Sequence, residues 1–254
     1  MAGEVSGRAW LQAMLDFEAA LGDDGLSAVS AVARTLELAE PALPWHTVRT
    51  RPARLACALG AAAGVMGKIA RDAELLAQTE VGEVAEGGGE GRGGSSTLPH
   101  KRNPVGAVAV SACAARVPGL VATMLSSMVQ EHERAAGAWQ AESDTLSDLL
   151  RLTGSAAAAL RELLEGLEVN TDRMRENLDA TAGLVMTESV VTTLTHSLGR
   201  AKAQELVEQA VHRVLDEEIS LTEALPDVDE LAPESYLGAA GELVDRALEA
   251  HRRA

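Results

Sequence analysis

Residues 54–80, RLACALGAAAGVMGKIARDAELLAQTE, place apolar side chains at alternating spacings of four and three. This rhythm puts them on one face of an α-helix, as in a helix that packs along its whole length against others. The positions of this apolar seam are Leu55, Leu59, Ala62, Met66, Ile69, Ala73 and Leu76. Pro52 suits the first turn of such a helix. The stretch therefore predicts a long helix of a bundle.

Two later stretches repeat the pattern. One seam comprises Ala107, Val110, Ala114, Val117, Val121, Met124 and Met128, and the other Leu146, Leu149, Thr153, Ala156, Leu160, Leu163 and Leu167. Pro118 lies inside the first of these, and a proline bends a helix. Seams rich in Ala and Gly let helices approach closely, so we predict an all-α fold built on a long-helix bundle.

The composition of the 254-residue chain supports this fold and excludes several functions. Hydrophobic residues make up 46% of the chain but aromatic residues only 2%, which favours packed helices over sheets. The formal net charge of -16 repels nucleic acid and anionic membranes, so an anionic ligand needs a local basic pocket. We expect no nucleic-acid partner and no membrane partner.

The two cysteines and the apolar stretches bear on metals and on location. Cys57 and Cys113 lie in apolar helical runs, without the spacing of a metal site or a disulfide scaffold. We therefore expect buried free thiols in a reducing compartment and no metal. No signal segment is evident, and charges are expected to interrupt every stretch long enough to span a bilayer. The sequence thus favours a cytoplasmic protein.

Turn signals and changes of pattern divide the chain into three parts. We predict an N-terminal helix within residues 1–21, separated by a turn at Gly22-Asp23-Asp24-Gly25. Residues 22–168 form the central helical bundle, with a glycine-rich loop at 82–104 that should lack regular structure. Residues 169–254 form a small C-terminal helical domain, with helices at about 171–181, 184–197 and 200–218 and a tail helix from about 234.

The loop ends in the densest cluster of chemical groups, Gly-Gly-Ser-Ser-Thr-Leu-Pro-His-Lys-Arg-Asn-Pro at residues 93–104. Ser95 and Ser96 can transfer protons or donate hydrogen bonds, and Lys101 and Arg102 supply positive charge. The start of the next helix, near Pro104, is expected to add backbone donors that favour anions. A Gly/Ser loop is usually a plain solvated connection, but this whole string is far more specific and suits a polycarboxylate.

The string resembles the signature loop of the fumarase/aspartase superfamily, with Leu98 in place of the usual Met. Residues from about Leu21 to the C-terminus resemble the second half of a member of the 3-carboxy-cis,cis-muconate cycloisomerase family within it, and residues 10–18 resemble its beginning. Several stretches carry this resemblance. They are residues 10–18, 44–47, 67–70, 78–84, 130–134 and 166–169. The resemblance implies a cofactor-independent enzyme that interconverts 3-carboxy-cis,cis-muconate and a carboxymuconolactone by proton transfer next to a carboxylate. Family members are tetramers, which implies a homo-oligomer.

The resemblance also implies roles for individual residues. Ser95 matches the proton-transfer serine, while Lys101 and Asn103 match residues that hold the substrate carboxylate. Ser96 is expected to act as a supporting hydrogen-bond donor, and Arg102 adds positive charge to the same substrate-binding stretch.

A second stretch, His46, Thr47 and Arg49, matches residues that approach the substrate, although Val48, Thr50 and Pro52 depart from the family's pattern. His132 is a further candidate for orienting the substrate, but a histidine late in a long helix is more often structural. Gln140 and Ser143 replace the His and Trp that the family tends to carry.

Two regions of the family pattern precede the Pro-Trp-His-Thr stretch, one with a Ser/Thr-rich motif and one with a proton-transfer histidine, and neither is found in this sequence. Three hypotheses follow: an active cycloisomerase or related lyase, a catalytically silent helical oligomer, or a subunit that completes its sites with a full-length homologue. A lyase of the adenylosuccinate or argininosuccinate type is the alternative enzyme, against which the stretches at 44–47 and 130–134 argue.

Overall fold

The computed structural model describes residues 23–42, 46–87, 93–94, 103–132, 137–228 and 232–253. Of the residues that the structure describes, 74% are helical, which confirms the all-α prediction. In order, the helices are α1 Asp23–Thr35, α2 Thr50–Leu76, α3 Val105–Ser126, α4 Ala138–Glu165, α5 Thr171–Asp179, α6 Thr187–Leu198, α7 Arg200–Glu217, α8 Leu221–Ala224 and α9 Ala240–Arg253. Short 3₁₀ helices span Leu184–Met186 and Pro233–Tyr236, and two short strands are β1, Val84–Glu86, and β2, Leu167–Val169.

The chain divides into two compact units, residues 1–78 with 84–168 and residues 79–83 with 169–254. In the first unit, α2, α3 and α4 pack against one another. Two apolar clusters form its core: one centres on Ala70, Val110 and Leu163, and the other on Ala56, Met124 and Leu149. The long-helix bundle predicted from the three seams is therefore present.

The predicted seams of α3 and α4 coincide with their buried faces, but that of α2 is displaced. The buried residues of α2 are Ala53, Ala56, Ala63, Ala70 and Ala73. Leu59, Met66 and Ile69 are partly buried beside them, and Ala62 is exposed. The seam was predicted from the large apolar side chains, whereas helices that pack closely have their smallest side chains at the contact. The prediction of buried thiols is wrong for Cys57 on α2, which is exposed, and Cys113 on α3 is only partly buried.

A side-chain hydrogen bond joins α2 to α3. The Ser111 hydroxyl donates to Oε1 of Glu74 at 2.6 Å, and Arg71 pairs with the other carboxylate oxygen at 2.9 Å. The hydrogen bond from Ser111 is the main cause of a lowered pKa of Glu74, and Arg71 adds to it. A lowered pKa means that this carboxylate stabilises the fold above its unfolded-state pKa, and that the contribution is lost as pH falls through the folded value.

Part of the segment predicted as a loop without regular structure is a strand, because β1 pairs with β2. The N–H of Gly87 donates to the carbonyl of Gly166 at 2.7 Å. A Cβ at Gly87 would lie 2.3 Å from that oxygen, so only glycine fits. The prediction of an irregular 82–104 is therefore wrong for Val84–Glu86.

The second unit has its own apolar core, formed by Met186, Val190, Val207, Ala210, Val214, Leu221, Ala224 and Leu225. Segment 79–83 belongs to this unit: Nε of Arg173 and Nδ2 of Asn177 donate to the carbonyl of Val81 at 3.1 and 2.9 Å. The tail helix α9 begins at Ala240, later than predicted, because a 3₁₀ helix occupies Pro233–Tyr236.

The turn predicted at residues 22–25 is wrong, since Asp23, Asp24 and Gly25 lie in the first turn of α1. The N-terminal helix predicted within residues 1–21 lies outside the described residues.

Helices α2 and α3 are long and apolar enough, by length and composition alone, to cross a membrane. The expectation that charges interrupt every such stretch is wrong for α3, in which Arg116 is the single charged residue. Core helices of soluble proteins meet the same criteria, and α2 and α3 pack on each other and on α4. Only 22% of the apolar stretch of α2 and 17% of that of α3 are buried, so packing within the bundle accounts for part of their apolar character.

Candidate functional site

Asn103 is hydrogen-bonded to Gly93, the first residue of the 93–104 string. Its backbone N–H donates to the carbonyl of Gly93 at 2.8 Å, and its Nδ2 reaches the same oxygen at 3.3 Å. Gly93 has φ +71°, and a Cβ there would lie 2.8 Å from the carbonyl oxygen of Asn103. A glycine is therefore required at position 93, where the backbone approaches Asn103.

Helix α3 begins directly after this junction, and its first donors are already engaged. The N–H of Gly106 donates to Oε2 of Glu86 at 3.0 Å, and the N–H of Ala107 to Oε1 at 2.7 Å. The N–H of Val105 donates to the carbonyl of Asn103 at 2.8 Å. The expectation that this helix start offers free donors to an anionic ligand is therefore wrong for Gly106 and Ala107, because a carboxylate of the chain itself binds them.

The second predicted stretch packs against the first turns of α4. His46 is buried, and its ring lies 5.0 Å from that of Trp139, centroid to centroid. Nε and Nη2 of Arg49 lie 2.8 and 2.7 Å from Oε2 of Glu142. The side chains of this pair are 10% and 4% exposed, so it is a buried ion pair. Trp139 and Glu142 lie three residues apart on one face of α4 and hold the segment that leads into α2.

His132 does not lie within a helix, because α3 ends at Ser126, so its placement late in a long helix is wrong. It is exposed and has φ +46°. A non-glycine residue with positive φ marks a tight local turn.

The other predicted site residues, Ser95, Ser96, Lys101 and Arg102, lie outside the described residues. Thr47 is partly exposed beside His46. Within the described ranges, no group of three or more His, Cys, Asp or Glu side chains is placed to bind a metal ion.

Sequence reasoning missed Glu86 and Glu142. The sequence contained a signal for Glu142, because this residue lies at helical spacing from the apolar residues of α4. It shares the buried face of the helix with Thr145, Leu149 and Leu152. A charge on an apolar face points to a buried partner. No comparable signal marks Glu86, whose role depends on a helix start twenty residues away.

Comparisons with known proteins show what this chain is similar to. Residues 28–119 match the protein family described as Lyase. A 3-carboxy-cis,cis-muconate cycloisomerase from Pseudomonas aeruginosa is 48% identical over 246 residues, covering 92% of this chain and 54% of that protein. A nitrosuccinate lyase from Streptomyces davaonensis is 45% identical over 233 residues, covering 87% of this chain and 49% of that protein.

Among solved structures, the 3-carboxy-cis,cis-muconate lactonizing enzyme from Pseudomonas putida superposes with a TM-score of 0.84 at 44% identity. The match covers 92% of this chain and 55% of that one. The chain thus spans about half the length of the relatives that it matches.

Proposed function

Because the chain is a member of the fumarase/lyase family similar to the 3-carboxy-cis,cis-muconate cycloisomerases, we propose that it serves the same reaction. In the lactone-opening direction, a base removes the proton next to a carboxylate, and the resulting dianion expels the lactone oxygen as a carboxylate. The reverse direction closes the lactone, and the carbanion then accepts the proton. The reaction is a net isomerisation, and the proposal includes no metal or organic cofactor.

Ser95 is the proton-transfer group in this proposal. A serine hydroxyl is a poor base at its ordinary pKa, so it needs positive charge close by. Lys101 and Arg102 supply that charge, and Ser96 donates a supporting hydrogen bond. The dianion is the species that these groups stabilise, which lowers the barrier more than binding the ground state would.

Asn103 and Lys101 hold the substrate carboxylate. The observation that carries the proposal is the string at 93–104 together with the double hydrogen bond from Asn103 to Gly93. This contact brings Gly93 and Asn103 together next to α3, and a small polycarboxylate matches the positive charges of Lys101 and Arg102. His46, Thr47 and Arg49 form the second part of the proposed site, with Arg49 oriented by Glu142.

We propose that the chain acts as an oligomer, a homotetramer as in the family, because family sites combine regions from several subunits. Exposed apolar residues on the bundle support this, including Val65 on α2 and Val108 on α3, at 63% and 53% exposure. A complex with a full-length homologue, or a silent helical oligomer, is the alternative.

The test is an ultraviolet assay for loss of the carboxymuconate diene. The chain is measured alone and mixed with a full-length homologue whose own loop serine is replaced by alanine. We expect turnover in at least one of these, and a loss of at least about 100-fold in the Ser95→Ala variant, the usual scale for a general acid–base group.

Ser197→Ala is the matched control, since its hydroxyl bonds only the Leu194 carbonyl within α6, in the other unit. Helicity measured by circular dichroism should be the same in all three proteins. Absence of turnover both in the chain alone and in the mixture would contradict the proposal and leave the silent oligomer. Equal rates in Ser95→Ala and wild type would remove Ser95 from the mechanism.

A second candidate is a lyase acting on a substituted succinate, favoured by the similarity to the nitrosuccinate lyase. Adenylosuccinate and argininosuccinate belong to the same substrate type. Such an enzyme would release fumarate, or a related alkene acid, from a substituted succinate. Product absorbance with those substrates, and none with the muconate, would favour it over the cycloisomerase.

A further inference from the structure

We propose that Glu86 is a positioning residue that keeps Asn103 in place at the end of the loop, an inference that rests on the proposed function. Glu86 is the last residue of β1, and its carboxylate accepts hydrogen bonds from Gly106 and Ala107 in the first turn of α3. It thereby joins the strand before the loop to the helix after it.

Glu86 caps the N-terminus of α3, although it lies twenty residues before the first of the two N–H groups that it accepts from. Each carboxylate oxygen of Glu86 takes one N–H, and negative charge at a helix N-terminus is favoured by the helix dipole. Pro104 precedes the helix and offers no side-chain acceptor for these donors. Glu86 therefore supplies the cap that the local sequence lacks.

The packing leaves little freedom for this carboxylate. A Cβ at Gly106 would lie 3.1 and 3.2 Å from the two oxygens of Glu86, so the absence of a side chain there lets the carboxylate approach the backbone. The backbone of Glu86 is held at the same time, because β1 pairs with β2 and the next residue, Gly87, bonds the Gly166 carbonyl. The backbone of Glu86 is thus held in place by its strand pairing and by the hydrogen bond to the residue that follows α4.

The position of Asn103 depends on two neighbours, Val105 and Gly93. Asn103 accepts from Val105 at 2.8 Å, so its position follows that of the first helical residue. It also donates to Gly93 from both its backbone N–H and its side-chain amide. Loosening the first turn of α3 should therefore loosen the Gly93–Asn103 junction, and with it a proposed contact to the substrate carboxylate.

The experiment measures amide hydrogen exchange, residue by residue, in Glu86→Gln and Glu86→Ala. Glutamine keeps one acceptor oxygen but turns an NH₂ group towards the second donor, whereas alanine removes both acceptors. We expect faster exchange at Gly106 and Ala107 in both variants. The decisive expectation is that exchange at Asn103 also rises, by about tenfold or more in Glu86→Ala. Glu165→Gln, in an exposed pair with Arg161, is the control.

Faster exchange confined to Gly106 and Ala107 would overturn the proposal, since Glu86 would then be a helix cap and nothing more. Unchanged exchange at all three residues would overturn the contact itself. In the diene assay, kcat/KM should fall in the order wild type, Glu86→Gln, Glu86→Ala, at temperatures well below unfolding. Absence of turnover both in the wild-type chain alone and in the mixture with the homologue would contradict the proposed function, while exchange at Asn103 still decides the role of Glu86.

Discussion

At the scale of single residues, the two acidic side chains that the sequence did not reveal organise both halves of the candidate site. Glu142 fixes Arg49, and Glu86 caps α3 beside Asn103. The residue types at His46, Thr47, Arg49 and Asn103 could be recognised from their strings. Their partners could not, because a contact between residues 93 positions apart depends on how the helices pack.

The buried pair leads to a prediction on stability. Glu142→Ala leaves the Arg49 guanidinium buried without this carboxylate, and we expect the free energy of unfolding to fall by about 3–5 kcal/mol. Glu165→Ala removes an exposed carboxylate of the same helix and should cost less than about 1 kcal/mol. Urea denaturation followed by circular dichroism measures both. Equal losses would show that the Arg49–Glu142 contact is not a buried pair in solution.

At the scale of elements, small residues decide how closely α2 and α3 pack. A Cβ at Gly67 would lie 2.7 Å from the Cβ of Ala114, and one at Gly60 would lie 2.9 Å from Cγ2 of Val121. Periodicity was enough to predict three long helices and the buried faces of α3 and α4. It placed the seam of α2 on larger side chains, because a hydrophobic pattern does not record how near two backbones come.

Two substitutions in the same helix test this packing. Gly67→Ala should destabilise the protein by about 1–3 kcal/mol, because the added methyl group overlaps Ala114. Gly64→Ala has no atom within 4 Å of the new Cβ, so it should be neutral or stabilise by up to about 1 kcal/mol through helix propensity. Thermal unfolding compares them. Equal stabilisation by both alanines would mean that α2 and α3 lie further apart at this crossing.

At the scale of the whole molecule, the bundle leaves apolar surface uncovered. Val105, Val108 and Leu125 on α3 are each more than two-fifths exposed, and Arg116 is the one charged side chain of that helix. Large exposed apolar patches mark contacts with other chains. The length and number of the apolar seams in the sequence could indicate that some apolar surface stays exposed. They could not indicate which helix faces remain outside the core.

Val108→Glu tests whether these faces meet in an oligomer. A charge buried at a chain-to-chain contact is costly, so we expect this variant to be smaller than wild type in size exclusion with light scattering. Its helicity should be retained, because Val108 is exposed within the single chain. Val185→Glu, at a similarly exposed valine of the other unit, should keep the wild-type mass. A compact monomer for wild type would contradict the proposed assembly.

The segment at 79–83 limits how this chain can be dissected. It lies far from residue 169 along the sequence, yet Glu83 accepts from the N–H of Asn170 at 2.9 Å, and the carbonyls of Glu80 and Val81 accept from Arg173. A fragment started at residue 169 would leave these donors exposed at its first helix. The C-terminal region is therefore not complete without residues 79–83. A chimaera that joins this region to another bundle would have to include them as well.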